Sequence, residues 1–127
     1  MNPLTLAYIG DSVFSDAIRR YLISQGMQNV NHLTKESIQY VRAEAQAIIV
    51  RSLMDEGMLT ETECAIVKRG RNTHSHVPKN AKIIDYRYAT GFEALLGFLS
   101  LTGQSERLQA LTIQSIEIIN AHIKKTA

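Results

Sequence analysis

The sequence predicts an all-α fold, and three observations carry that prediction. Apolar residues recur at three- and four-residue spacing along most of the chain, the stretches so patterned are punctuated by glycine, and no segment alternates apolar and polar residues as a half-buried strand does. With 127 residues the chain is expected to form one domain, residues 1–127, large enough to enclose a core.

The first helix is expected from about Leu4 to Gln25, with Leu6, Ile9, Val13, Ala17 and Tyr21 on one stripe and Phe14, Ile18 and Leu22 on a second. Gly26 stops it. Thr34 is placed to cap a second helix running to about Glu56, ended by Gly57. Thr60 with Glu63 three residues on reads as a capping box for a short third helix that Gly70 closes. A loop containing Pro78 leads to a fourth helix, about Lys82 to Thr102. That helix is apolar almost all round (Phe92, Leu95, Leu96, Phe98, Leu99, Leu101), so it belongs in the centre of the domain or in an interface. A last helix carries Leu108, Leu111, Ile116, Ile119 and Ile123 on one face, with Lys124 and Lys125 near its negative end.

Composition excludes several classes. Hydrophobic residues make up 45% and charged residues 20%, as in ordinary globular proteins. The formal net charge is +2, so any nucleic-acid argument rests on where the charge sits. One cysteine, Cys64, excludes an internal disulfide and suits a reducing compartment. No apolar run approaches the ~20 residues that span a bilayer, and the N-terminus lacks the pattern of a secretory signal. A soluble cytoplasmic protein without membrane attachment is expected.

Two carboxylates stand where apolar residues should. Asp11 shares a helical stripe with Ala7, Phe14 and Ile18, and Glu93 sits by the same spacing among Ala89, Thr90, Leu96 and Gly97. Enclosed carboxylates are rare unless paired, hydrogen-bonded or bound to metal. Small neighbours (Ala7, Gly10, Ala89, Gly97) would leave room for a cation, water or phosphate. The alternative is that each acid meets an arginine or caps a helix. Glu44, among Tyr40, Val41, Ala47 and Ile48, is a third candidate, whereas Asp16, within a turn of Arg19 and Arg20, reads as a surface ion pair.

The stretch from Val67 to Ile84 contains Lys68, Arg69, Arg71, Lys79, Lys82, His74 and His76 and no acid. Charge of one sign on a loop suits phosphate contacts, and a solvated loop is the alternative. His74 and His76 lack the carboxylate or cysteine company of a structural zinc site. Gly10-Asp11-Ser12 invites a serine-esterase reading, which fails: Ile119 stands three residues before His122 where an Asp is needed, and no strands surround Ser12.

These residues together resemble a known family. Leu6-Ala7-Tyr8-Ile9-Gly10-Asp11-Ser12-Val13 is similar to the signature helix of ribonuclease III nuclease domains, and Phe92-Glu93-Ala94-Leu95-Leu96-Gly97 to their second acidic helix. Val41-Arg42-Ala43-Glu44-Ala45-Gln46-Ala47 and Lys68-Arg69-Gly70-Arg71-Asn72 resemble one branch, Mini-ribonuclease III, which has the nuclease domain without a double-stranded-RNA-binding domain. The end of the chain soon after the last nuclease-like helix fits that expectation. Ala7 and Thr90 stand where the fuller family carries a Glu and an Asp, which leaves Asp11 and Glu93 as the catalytic and metal-binding pair.

The resemblance implies an Mg²⁺-dependent endoribonuclease that cuts double-stranded RNA as a homodimer, leaving 5′-phosphate and 3′-hydroxyl ends. For this branch it implies maturation of the 23S (large-subunit) ribosomal RNA precursor, in which a ribosomal protein could present the substrate. Lys68, Arg69, Arg71, Lys79 and Lys82 are the expected RNA contacts. A non-catalytic RNA-binding or ribosome-assembly module on the same fold is the rival, and retention of both acids argues against it.

Overall fold

A computed structural model describes residues 1–73, 77, 79 and 82–126. Among the described residues six helices follow one another: α1 (Pro3–Ser24), α2 (Val30–Val41), α3 (Ala43–Asp55), α4 (Glu61–Asn72), α5 (Ile83–Leu101) and α6 (Ser105–Thr126). No strand occurs among the described residues. The all-α expectation holds, as do α1 and α5 to within a residue or so at each end. His74, His76 and Pro78 lie outside the described residues.

Capping explains several boundaries. Asn2 accepts from the Leu4 N–H at 2.7 Å to start α1, and Gly26 and Gly57, at φ 92° and 67°, terminate α1 and α3 in the left-handed region that glycine enters without a Cβ clash. The Thr60–Glu63 capping box forms in full, with both reciprocal bonds present.

Two expectations fail, each for a physical reason. The single helix from Thr34 to Glu56 is two. It starts earlier, at Val30, because Asn29 caps it through the His32 N–H at 3.0 Å, and Thr34 lies inside α2. The pair then breaks at Arg42, whose extended backbone (φ −64°, ψ 153°) ends α2 and begins α3. Apolar spacing alone does not register one non-helical residue between two helices. Gly70, expected to close the third helix, lies within α4. A Cβ there would come 2.8 Å from Gly91 Cα on α5, so this glycine serves close helix packing, not termination.

The core gathers around α5. Phe92, Leu95, Leu96 and Leu99 are fully enclosed, against α1, α3 and α4. Phe14 of α1 meets Phe92 edge to face, with centroids 5.1 Å apart. The central position expected for α5 is therefore observed, and its apolar middle lies inside the domain. Only Ile83, Ile84 and Leu101, at its ends, are exposed large hydrophobics. α1 and α5 pack backbone to backbone: a Cβ on Gly10 would overlap the Glu93 carbonyl oxygen, and one on Gly97 would overlap that of Leu6.

Candidate active site

The α1–α5 crossing brings the two sequence-predicted acids to one place. Asp11 and Glu93 line an open cleft of about 390 Å³ together with Leu4, Ala7, Tyr8, Tyr86 and Thr90. The closeness follows from Gly10, which lets α1 approach α5 at the residue preceding one acid and at the carbonyl of the other. Two of the small residues act differently than expected: Gly10 and Gly97 are filled by helix contact. Ala7 lines the cleft as expected, together with Thr90.

Glu93 is half-buried and Asp11 exposed, so only Glu93 meets the expectation of an enclosed charge. Burial pushes the Glu93 carboxyl up to about 8, and the neighbouring Asp11, through its charge and a side-chain hydrogen bond, adds to the rise. Gln46, 2% exposed on α3, opposes it by donating from Nε2 to Glu93 Oε2 at 3.2 Å. Neither acid forms a salt bridge among the described residues. The alternative that each acid meets an arginine is thereby excluded there.

This donor set fits a hard divalent cation. Two carboxylates adjoin in an open cleft, and burial, with the neighbouring Asp11, pushes one of them up to about 8. Mg²⁺ takes oxygen ligands, keeps several waters and needs only one or two protein carboxylates. A divalent cation there would offset the like charge of the two carboxylates.

Glu44 takes no such place. The break at Arg42 removes it from the helix of Tyr40 and Val41, and it stands exposed in the first turn of α3. Asp16 pairs with Arg20 at 2.8 Å, both side chains largely in solvent, as expected. Ser12 donates its hydroxyl to the Ile9 carbonyl at 2.8 Å within α1.

The basic residues were expected on a loop, but three of them are helical: Lys68, Arg69 and Arg71 occupy the last turns of α4. A helical turn ended by Thr73 continues past Gly70 because the glycine fits against α5. Lys79 lies in an exposed turn and Lys82 is the exposed residue that precedes α5. None of the five lines the acidic cleft. Arg71 donates to the Tyr88 hydroxyl at 3.4 Å, and the same ring carries Arg51, whose guanidinium stands 4.8 Å from its centroid.

Sequence reasoning missed Gln46, Tyr86 and Arg51. Gln46 had a signal: it stands three residues before Ile49 and four before Val50, a polar side chain on a core stripe, which is the argument that found Asp11 and Glu93. Arg51 and Tyr86 had none, since both types are common on helix surfaces.

Comparison with known proteins identifies the family and agrees with the fold. The ribonuclease III domain family matches residues 4–104. Curated proteins named Mini-ribonuclease 3 align over most of the chain. That of Streptococcus pneumoniae is 47% identical, covering 92% of this chain and 94% of the relative. That of Thermoanaerobacter is 48% identical over 94% and 83%, and that of Enterococcus faecalis 46% over 98% and 90%. A crystal structure of a protein from Fusobacterium nucleatum superposes with a TM-score of 0.78 at 28% identity, covering all of this chain and 95% of that one.

Proposed function

The chain belongs to the ribonuclease III family, among the Mini-ribonuclease 3 proteins, and from that premise we propose that this endoribonuclease uses Mg²⁺ at Asp11 and Glu93 to cut double-stranded RNA. The observation that carries the proposal is the cleft in which two carboxylates adjoin, neither in a salt bridge among the described residues. Bound Mg²⁺ supplies Lewis-acid activation of water and charge neutralisation at the phosphate.

The chain's own residues do the rest. Asp11 and Glu93 would hold the ion at the α1–α5 crossing, both as carboxylates. Gly10 keeps the two helices close enough for both acids to share one ligand. Ala7 and Thr90, smaller than the acids of the fuller family, leave the cleft open to a phosphate. Lys68, Arg69, Arg71, Lys79 and Lys82 meet the backbone of an A-form duplex, whose bases are hidden in its deep groove and which is recognised through shape, phosphates and 2′-hydroxyls. The products carry 5′-phosphate and 3′-hydroxyl ends, and the substrate is the 23S ribosomal RNA precursor, presented with or without a ribosomal protein.

The domain spans residues 1–127, acts in the cytoplasm and pairs as a homodimer, since two antiparallel strands call for two sites related by a two-fold axis. Exposed apolar side chains lining the cleft (Leu4 and Tyr8) support pairing there. No described helix is long and apolar enough to cross a membrane.

One assay tests the core of this reading. Purified protein incubated with duplex RNA should cleave it with Mg²⁺ and not with EDTA. Cleavage in EDTA would refute the metal role. Sedimentation equilibrium at micromolar protein should give the dimer mass, and a monomer cutting both strands in one encounter would refute the paired sites.

A further inference from the structure

The α2–α3 break has a consequence inside the site. With Arg42 extended, the carbonyl of Val41 accepts from Gln46 Nε2 at 2.8 Å, a side chain taking the place of a backbone donor. The same amide nitrogen reaches Glu93 Oε2 on α5 at 3.2 Å. The Val41 carbonyl is an acceptor only, so the amide meets it with its NH₂ group, the nitrogen that also reaches Glu93. That orientation leaves Gln46 Oε1 buried with no partner among the described residues. An uncompensated buried oxygen disfavours the arrangement for stability alone. Retaining Gln46 on a core stripe is better explained by what its nitrogen does.

We propose that Gln46 is a positioning residue for the metal-binding carboxylate. By bridging the freed Val41 carbonyl to Glu93 Oε2, it engages one carboxylate oxygen and fixes the orientation in which Glu93 meets Asp11. The non-helical residue Arg42 is thereby part of the site although it lies outside the cleft: without the break, the Val41 carbonyl would be taken by α-helical bonding and Gln46 would lose its anchor. This inference rests on the assignment of Asp11 and Glu93 to a divalent cation.

The test uses Mn²⁺ as the probe, with free ion followed by electron paramagnetic resonance in protein without RNA. Gln46→Met keeps the volume, cannot donate and removes the unpartnered oxygen. Its Mn²⁺ dissociation constant should rise ~10-fold, the lower end of what losing a partner behind a metal ligand costs. Gln46→Asn, which keeps an amide one methylene too short to span both acceptors, should show the same direction if Gln46→Met folds poorly by circular dichroism. In a Glu93→Gln background the Gln46→Met change should add nothing, because the group it orients is gone. Unchanged affinity in both Gln46 variants, or an equal loss in the Glu93→Gln background, overturns the positioning role. If the wild-type protein binds no Mn²⁺, the cation assignment itself fails and the inference with it, a result distinct from binding that Glu93→Gln weakens and Gln46→Met does not.

Discussion

Glu63 at the start of α4 is 4% exposed, and Glu93 in the middle of α5 is half-buried, yet their surroundings are opposite. Glu63 receives Nε and Nη2 of Arg107 at 2.9 and 2.8 Å, and that arginine also donates to the Met58 carbonyl, clamping the start of α6 to the turn before α4. The hydrogen bond from Arg107 first, and the bonds from Thr60 besides, hold the Glu63 carboxyl below its ordinary range against the opposing effect of burial. Glu93 has burial, a second acid and one amide, and is pushed up to about 8. Within one core, then, one enclosed carboxylate is matched by a cation of the chain and the other is left for something else to match. Burial of an acid is thus no guide to function until its neighbours are counted.

The largest expected effect separates the two by function. Glu93→Gln should remove at least ~10³-fold of the cleavage rate, about 4 kcal/mol of barrier, with the fold retained. Glu63→Gln should leave cleavage of folded protein within a few-fold and lower the unfolding midpoint instead. Single-turnover cleavage at saturating Mg²⁺, alongside thermal melts, makes the distinction. Equal loss of cleavage in both variants would dissolve the contrast.

Acidity should act on the two with opposite sign. Between about 4.5 and about 8 the folded protein holds the Glu93 proton that the unfolded chain has released, so raising pH through that window destabilises the metal-free protein. The cost reaches at most roughly 3 kcal/mol at neutral pH. Glu63, its carboxyl lowered, contributes stability that is present above the ordinary carboxylate range and lost as pH falls through its folded value. Urea unfolding in EDTA at pH 5 and pH 7.5 should show this window, and Glu93→Gln should make it shallower. Stability that rises across the window by the same amount in wild type and Glu93→Gln would contradict the assignment.

The smallest effect concerns cations. Arg107 is engaged by Glu63, whereas no described acid forms a salt bridge with Lys68, Arg69, Arg71 or Lys79. Alanine at those four should lower the slope of log affinity for duplex RNA against log salt by ~0.7–0.9 for each phosphate no longer neutralised. Arg107→Ala should leave the slope alone and destabilise the fold by about 2–4 kcal/mol, since Glu63 is then buried unpaired. A slope unmoved by the fourfold change would return these residues to a solvated surface.

Periodicity and caps made most of the fold legible: α1, α5, the Thr60–Glu63 capping box and the central place of α5 could all be read from spacing. The break at Arg42 could not, because a single extended residue leaves the apolar rhythm on either side nearly in phase. Gly70 misled for a related reason. A glycine that ends a helix and one that admits a neighbouring helix look alike until the neighbour is placed. The acids were legible as polar residues on apolar stripes, and Gln46 was visible by the same sign but carries no charge to draw notice. The Arg51–Tyr88–Arg71 stack joins three helices and has no counterpart in local sequence.

The Gly10–Glu93 and Gly97–Leu6 approaches also govern how this site can vary. Where two helices meet through side chains, a change of one residue's size shifts their spacing by fractions of an ångström, and many intermediate spacings are accessible to single mutations. Here the spacing is already at the limit set by main-chain atoms. It can only widen, and the first step available, glycine to alanine, overruns a carbonyl oxygen at once. The distance between the two acids therefore has a floor and no gradual path away from it. Variation in what the cleft accepts is left to residues that line it without setting its width, such as Ala7, Tyr8, Tyr86 and Thr90.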